Sequence, residues 1–192
     1  KRVCKESNVN PKKIISIGIA YQMHGLVLID RNGNTLRDCI IWCDSRAVQI
    51  GGNAFKEIGP EKCLSHFLNS PGNFTASKLK WVKDNEPNIY EKTYKFMLPG
   101  DFIAFKLTGE INTTKNGLSE GIMWDFKEKS PASLIFNYFG FSPNLIPKIV
   151  DNFTLQGKIS YDSSKKTGLR VGTHVTYRAG DQPNNAFSLN VF

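Results

Sequence analysis

Residues 14–30, IISIGIAYQMHGLVLID, constrain the fold of this chain more than any other stretch. Two apolar runs, 14–20 and 26–29, flank a mostly polar knot, Tyr21-Gln22-Met23-His24-Gly25. Runs of this kind predict strands buried on both faces of a sheet. The polar knot between them predicts side chains presented at a strand end, where ligands gather in α/β folds. Gln22 and His24 are two apart, so a continued strand would project both from one face. Amide and imidazole can each donate and accept hydrogen bonds, which suits a polyhydroxylated ligand. A histidine between strands also serves as a plain structural group, and the knot by itself leaves both roles open.

The surrounding pattern is that of one α/β domain with a helical insertion. Asn32-Gly33 centres a turn that predicts a return strand over 35–42 and a hairpin over 26–42. Asp44 or Ser45 is placed to cap a helical segment that Gly51-Gly52 disturbs and Gly59-Pro60 ends. Short helices are predicted over 61–69 and 87–91. Between them an amphipathic helix spans 75–85, with Leu79, Trp81 and Val82 inside and Lys78, Lys80, Lys83 and Asp84 in solvent. A brief strand at 95–98 and a helix at 102–107 follow. Residues 112–121 read as a loop, Ser130-Pro131 as the start of a helix to 139, and 143–150 as a further short helix. Strands over 156–160 and 171–179 flank a turn at 165–168, and Pro183 opens a last helix over 184–191.

Composition narrows the function classes. The chain has 192 residues, 40% of them hydrophobic, which suffices for a sizeable core. No apolar run approaches the roughly 20 residues that span a bilayer, and the basic residues 1–13 lack an apolar segment behind them, unlike a signal peptide. A cytoplasmic protein without a membrane partner is the expectation. Net charge is +8. The lysines are scattered, with no arginine-rich or aromatic-interleaved run, so no nucleic-acid partner is expected. A solvated basic surface and attraction of a phosphorylated small molecule account for the charge equally well. Cys4, Cys39, Cys43 and Cys63 show no zinc-type spacing and read as reduced, packed thiols. A P-loop, a nucleophile elbow and a zinc-binding His-Glu motif are all missing.

Two acidic positions remain. Asp181 follows an apolar strand and a glycine and precedes a helix start, so it is either an N-cap or a general base for a substrate hydroxyl. In Trp42-Cys43-Asp44-Ser45-Arg46 a carboxylate and a guanidinium lie close, and a structural ion pair or cap is the simpler role.

Taken together, the blocks IGIAYQMHGLVLID, IIWCDSR, GNFTASKLKWVKDNEP, LPGDFIAFKLTGE and YRAGDQ resemble the FGGY carbohydrate kinases, in the family's order and across nearly the whole chain. Gln-Met-His-Gly with Asn-Phe-Thr-Ala resembles the branch that acts on xylulose; a glycerol-specific member would show Arg-Glu where Met23-His24 stand. The resemblance implies an actin-like (ribonuclease H-like) ATPase fold. It also implies transfer of the γ-phosphoryl group of ATP, with Mg²⁺, to the 5-hydroxyl of D-xylulose. Another ketose or polyol such as ribulose, and a catalytically silent sugar-binding module, are the alternatives. By resemblance Asp181 is the general base, Met23, His24 and Gln182 contact the sugar, and Phe74 borders its pocket. Residues 1–192 would be an N-terminal sugar-binding domain without its first hairpin and the C-terminal ATP-binding domain, inactive alone, in an enzyme for which a homodimer is allowed. Thr113-Thr114-Lys115-Asn116 departs from the family, many of whose members carry an aspartate there.

Overall fold

The computed structural model describes residues 2–191. In chain order the elements are α1 (Arg2–Glu6), β1 (Ser16–Tyr21), β2 (Val27–Ile29), α2 (Val48–Ile58), α3 (Pro60–Phe67), α4 (Thr75–Asn85), α5 (Pro87–Lys92), β3 (Lys95–Met97), α6 (Pro99–Thr108), β4 (Asn112–Thr114), α7 (Lys115–Glu120), β5 (Trp124–Asp125), β6 (Ser130–Pro131), α8 (Ser133–Phe139), β7 (Lys148–Val150), β8 (Gly157–Lys158), α9 (Tyr161–Thr167), β9 (His174–Gly180) and α10 (Asp181–Ser188). Among the described residues no helix is long and apolar enough to cross a membrane.

The strand β2 organises the interior. It pairs antiparallel with β3, Val27 opposite Met97 and Ile29 opposite Lys95. Side chains alternate along a strand, so Leu26 and Leu28 enter the large core of α3, α4, α7 and α8, whereas Val27 and Ile29 enter a smaller cluster with Met97, Phe102, Phe105 and Ile111. Both faces are thus apolar and covered, as the run 26–29 predicts.

The run 14–20 behaves differently. The strand β1 pairs in parallel with β9, which pairs antiparallel with β8, leaving β1 at one side of a three-stranded sheet. Its residues alternate between exposed and half-buried up to Tyr21, and Ile15 just before it is 74% exposed. Burial on both faces, expected for this run, does not hold, because nothing among the described residues covers one of them. The β1–β9 register shifts between Ile17 and Gly18, where Thr176 is the extra residue and Ser16 Oγ lies 2.6 Å from its Oγ1. Beyond the shift Ala20 pairs with Ala179 and Tyr21 with Gly180. Two parallel strands therefore end level, one running into the polar knot and the other into Asp181.

The helix α6 locks these ends from behind. Pro99 starts it, and Leu98 N–H donates to Asp101 Oδ2 at 3.3 Å. A side chain at Gly100 would overlap the Tyr21 ring, with a Cβ 2.1 Å from Cδ1. Asp101 is wholly buried and pairs with the equally buried Arg178 of β9, Nε to Oδ1 at 3.0 Å, while Arg178 Nη2 donates to Asn112 Oδ1 at 2.7 Å. One cation and one carboxylate cancel inside the fold, and the amide oxygen takes a further guanidinium hydrogen.

Several local expectations are corrected. Residues 35–42 make only single bridges, Leu26 to Ile40 and Ile29 to Thr35, rather than a strand. The helix after Asp44 begins at Val48. Residues 112–121 are not a loop: Thr114 Oγ1 accepts from Gly117 N–H at 3.1 Å and caps α7. Ser130-Pro131 is paired with β5, so the helix starts at Ser133. Residues 148–150 form β7 against β4, and 165–167 belong to α9, closed by Gly168 in the left-handed region (φ 84°). Only Cys63 is fully buried; Cys39 and Cys43 are exposed, and all four thiols are free.

Candidate active site

The level strand ends create a cleft of about 380 Å³ lined by Gln22, Met23, His24, Trp42, Asp181 and Gln182. Gln22 and His24 reach it by a route other than the predicted one. The strand stops at Tyr21 and the chain turns, with His24 in the left-handed region at φ 63°. Such a backbone costs a non-glycine residue about 1 kcal/mol and persists only where its surroundings enforce it. Gly25 explains part of the enforcement, since a Cβ there would stand 2.4 Å from Pro99 Cγ.

Lys78 supplies the rest. Its side chain is wholly buried, and Nζ donates to the carbonyl oxygens of His24 (2.8 Å) and Ile41 (2.9 Å). One ammonium thereby ties the turn carrying His24 to the segment carrying Trp42, two walls of the cleft. Burial lowers the Lys78 pKa, and the charge of nearby Asp44 offsets only part of that effect. This residue was expected in solvent. Lys83, also expected there, instead donates to the carbonyls of Phe139 and Gly140 at the end of α8. The missed signal for Lys78 is its position: it lies three residues after Thr75 and four before Val82, on the stripe that α4 buries.

His24 is oriented from two sides. Its Nδ1 lies 3.0 Å from the main-chain oxygen of Glu120, which can only accept, so Nδ1 carries the proton. Burial lowers the imidazole pKa, leaving the ring neutral at pH 7. Nε2 of a neutral ring with Nδ1 protonated is an acceptor. Phe74 packs edge-on to the ring at 4.4 Å and is not a lining residue of the cleft; it stands behind His24.

Across the cleft Asp181 is the first residue of α10 and is solvent-exposed. Gln182 Nε2 donates to Asp181 Oδ2 at 3.1 Å. Asn184 Nδ2 donates to the carbonyls of Ala179 (3.0 Å) and Gly180 (2.8 Å), fastening the helix start to the end of β9. The N-cap residue is Gly180, not Asp181, so the aspartate is not consumed as a cap. Asp44 and Arg46 do form the simpler arrangement, a bidentate pair at 2.9 and 2.7 Å that holds the Asp44 carboxyl down at about 2.

Beneath the cleft sits Glu120, a residue the sequence did not single out. It is 8% exposed, burial pushes its pKa up to about 9, and Oε1 has no hydrogen-bond partner. Among the described residues no group of three or more His, Cys, Asp or Glu side chains is placed to hold a metal ion. The donor set therefore does not fit an all-protein magnesium site, and Mg²⁺ is usually held by one or two carboxylates together with substrate phosphates.

Residues 1–188 match the family model described as the FGGY family of carbohydrate kinases, N-terminal domain. The xylulose kinase of Staphylococcus xylosus is 32% identical over 174 residues, covering 90% of this chain and 35% of that protein. That of Bacillus subtilis (strain 168) is 31% identical over 190 residues, covering 96% and 37%. The crystal structure of xylulose kinase from Rhodospirillum rubrum superposes with a TM-score of 0.84 at 23% identity, over 93% of this chain and 37% of that one. The chain spans about a third of the length of these relatives.

A mixed sheet with two parallel strands ending level beneath a polar cleft, matched over most of its length by a sugar kinase, is the actin-like (ribonuclease H-like) ATPase fold. Within that fold the chain belongs to the FGGY family of carbohydrate kinases, as its N-terminal domain.

Proposed function

We propose that this domain binds the acceptor sugar of a carbohydrate kinase, with Asp181 as general base and D-xylulose as the first candidate substrate. The observation that carries the reading is the opposition of Asp181 and His24 across one cleft at the ends of two parallel strands. Gln182 occupies Asp181 Oδ2, which leaves Oδ1 for the attacking hydroxyl. In the step, the hydroxyl O–H bond breaks and its proton passes to Asp181. The freed oxygen forms a bond to the γ-phosphorus of ATP as the bond to the β-phosphate bridge breaks, releasing ADP.

The other side chains orient the sugar. His24 Nε2 accepts from one hydroxyl, and the Gln182 carbonyl oxygen accepts from another. Met23 and Trp42 supply apolar walls against the carbon chain. ATP, with Mg²⁺, is the phosphoryl donor in this reading, and neither is assigned to side chains of this domain. The reading carries with it a cytoplasmic enzyme. A panel of D-xylulose, D-ribulose, other ketoses and polyols, with ATP and the intact protein that carries this domain, tests it. Turnover is expected to be fastest with D-xylulose; no phosphorylation of any member would overturn the kinase reading, and a faster polyol would overturn the ketose assignment.

A further inference from the structure

The cleft has a neighbour on the other side of Met23, about 430 Å³ in volume, lined by Lys115, Asn116, Ser119, Glu120, Trp124 and Phe126 together with Met23, Gly180 and Pro183. At its base Glu120 borders both sides of the sugar cleft, the His24 turn and the glycine before Asp181. Its main-chain oxygen receives the His24 Nδ1 hydrogen. Its carboxyl lies beside the buried Tyr21 at the end of β1. A Cβ built on Gly180 would lie 2.7 Å from Glu120 Oε2 and 2.2 Å from Met23 Cγ, so carboxyl and thioether crowd the same glycine just before Asp181.

We propose that Glu120 is a positioning residue for this site, its carboxyl seating Met23 and Tyr21 against Gly180 so that the His24 turn and Asp181 face each other at a fixed separation. The inference rests on the kinase reading only for the identity of the ligand that Asp181 and His24 hold.

The charges around Glu120 decide the form in which it does this. From α6 it faces Asp101, and from α10 it faces Asp181. From β1 it faces Tyr21, from the turn His24, which is neutral, and from its own helix Lys115 reaches the same neighbouring cleft but is exposed and pairs with Asp151. Arg178 on β9 is engaged by Asp101. On β4 Thr113 and Thr114 carry no charge, and on β5 Asp125 is held by His66 at 2.8 Å. Among the described residues no cation pairs with the Glu120 carboxyl. A buried carboxyl facing two acids keeps its proton, in line with its pKa of about 9. A neutral carboxyl can donate as well as accept, and it adds no second negative charge beside the base.

The test compares Glu120→Gln and Glu120→Ala with wild type in the intact protein. Glu120→Ala is expected to raise the sugar KM about tenfold or more, with a smaller change in kcat, the size expected when a buried hydrogen-bonding group is removed. Glu120→Gln, neutral and of the same shape, is expected to rescue most of that loss at pH 7. It should also abolish the fall in wild-type kcat/KM that accompanies ionisation near pH 9. An unchanged alkaline limb in Glu120→Gln, or a loss as large as that of Glu120→Ala, overturns the proposal. Where alanine prevents folding, the glutamine pH profile decides alone. A readout independent of turnover separates this inference from the kinase reading. The infrared carbonyl band of an un-ionised carboxylic acid at pH 7 is expected in the wild-type minus Glu120→Gln difference spectrum. Its absence overturns the proposal even in an active kinase, and its presence sustains it even if no sugar of the panel is phosphorylated.

Discussion

The two sides of the cleft are held in opposite ways. The wall carrying Met23 and His24 is backed by buried polar groups, Lys78 from α4 and Glu120 from α7, with Tyr21 and Phe74 packed around them. The facing side, α10 with Asp181 and Gln182, buries no residue at all and is anchored through Asn184 to the last two carbonyls of β9. On the proposed reading, preorganisation is thus invested where the ligand would be gripped. The base of that reading, Asp181, stays in contact with water at the start of α10. Substitutions on the gripping wall should therefore act through stability and KM, and substitutions on α10 through kcat.

Asp181→Ala is expected to have the largest effect, lowering kcat by about 10²–10⁴-fold with little change in sugar KM or in melting temperature. Steady-state kinetics and a thermal melt check it; a kcat within a few-fold of wild type would remove the base assignment. Lys78→Met comes next, because it removes the donor to the part-buried His24 and Ile41 carbonyls. Loss of about 2–4 kcal/mol of stability in urea unfolding is expected, with a raised KM. If Lys78→Met melts like wild type, the gripping wall is not held by that ammonium.

The pH dependence sharpens the same contrast. The Glu120 pKa is raised from 4.5 to about 9 on folding. Between those values the unfolded chain binds fewer protons at this site than the native one, so its contribution to stability is full below about 4.5 and is lost as pH rises toward 9. Glu120→Gln should gain on wild type across that window by at most about 1.4 kcal/mol per pH unit. Parallel stability curves for the two proteins would contradict it. The smallest expected effect is that of Lys80→Ala, which breaks an exposed pair with Asp84 on the same helix as Lys78. It should cost under about 0.5 kcal/mol, and a larger loss would mean that α4 does not divide into a structural and a solvated face.

How much of this was legible beforehand depends on whether the signal was local. The run 26–29 could be assigned from its own apolarity, and the knot at 21–25 from its interruption of a strand pattern. Asp181 stood out as an acid after a strand and a glycine. The misassignments share one cause. Thr113 and Thr114 look like loop residues until β7, more than thirty positions later, supplies a partner strand. Lys78 looks solvated until two carbonyls from distant segments replace its water. Glu120 looks like any surface glutamate, because its neighbours Tyr21, Asp101 and Gly180 are spread across the chain. Hydrophobic periodicity reports which face is covered. It does not report which polar groups meet beneath it, since that follows from tertiary pairing and not from local propensity.

The extra residue at Thr176 acquires significance in this light. Side chains along a strand alternate in direction, and a single inserted residue shifts that alternation by half a period. Without the offset, Tyr21 would stand opposite Ala179, and Asp181 would emerge a step beyond the turn that carries His24. On the proposed reading, alignment of Asp181 with His24 is therefore a matter of counting. Lengthening or shortening β9 by one residue would throw the acid out of step with the histidine while leaving every site side chain intact, and only a matching change in β1 could bring them back into phase.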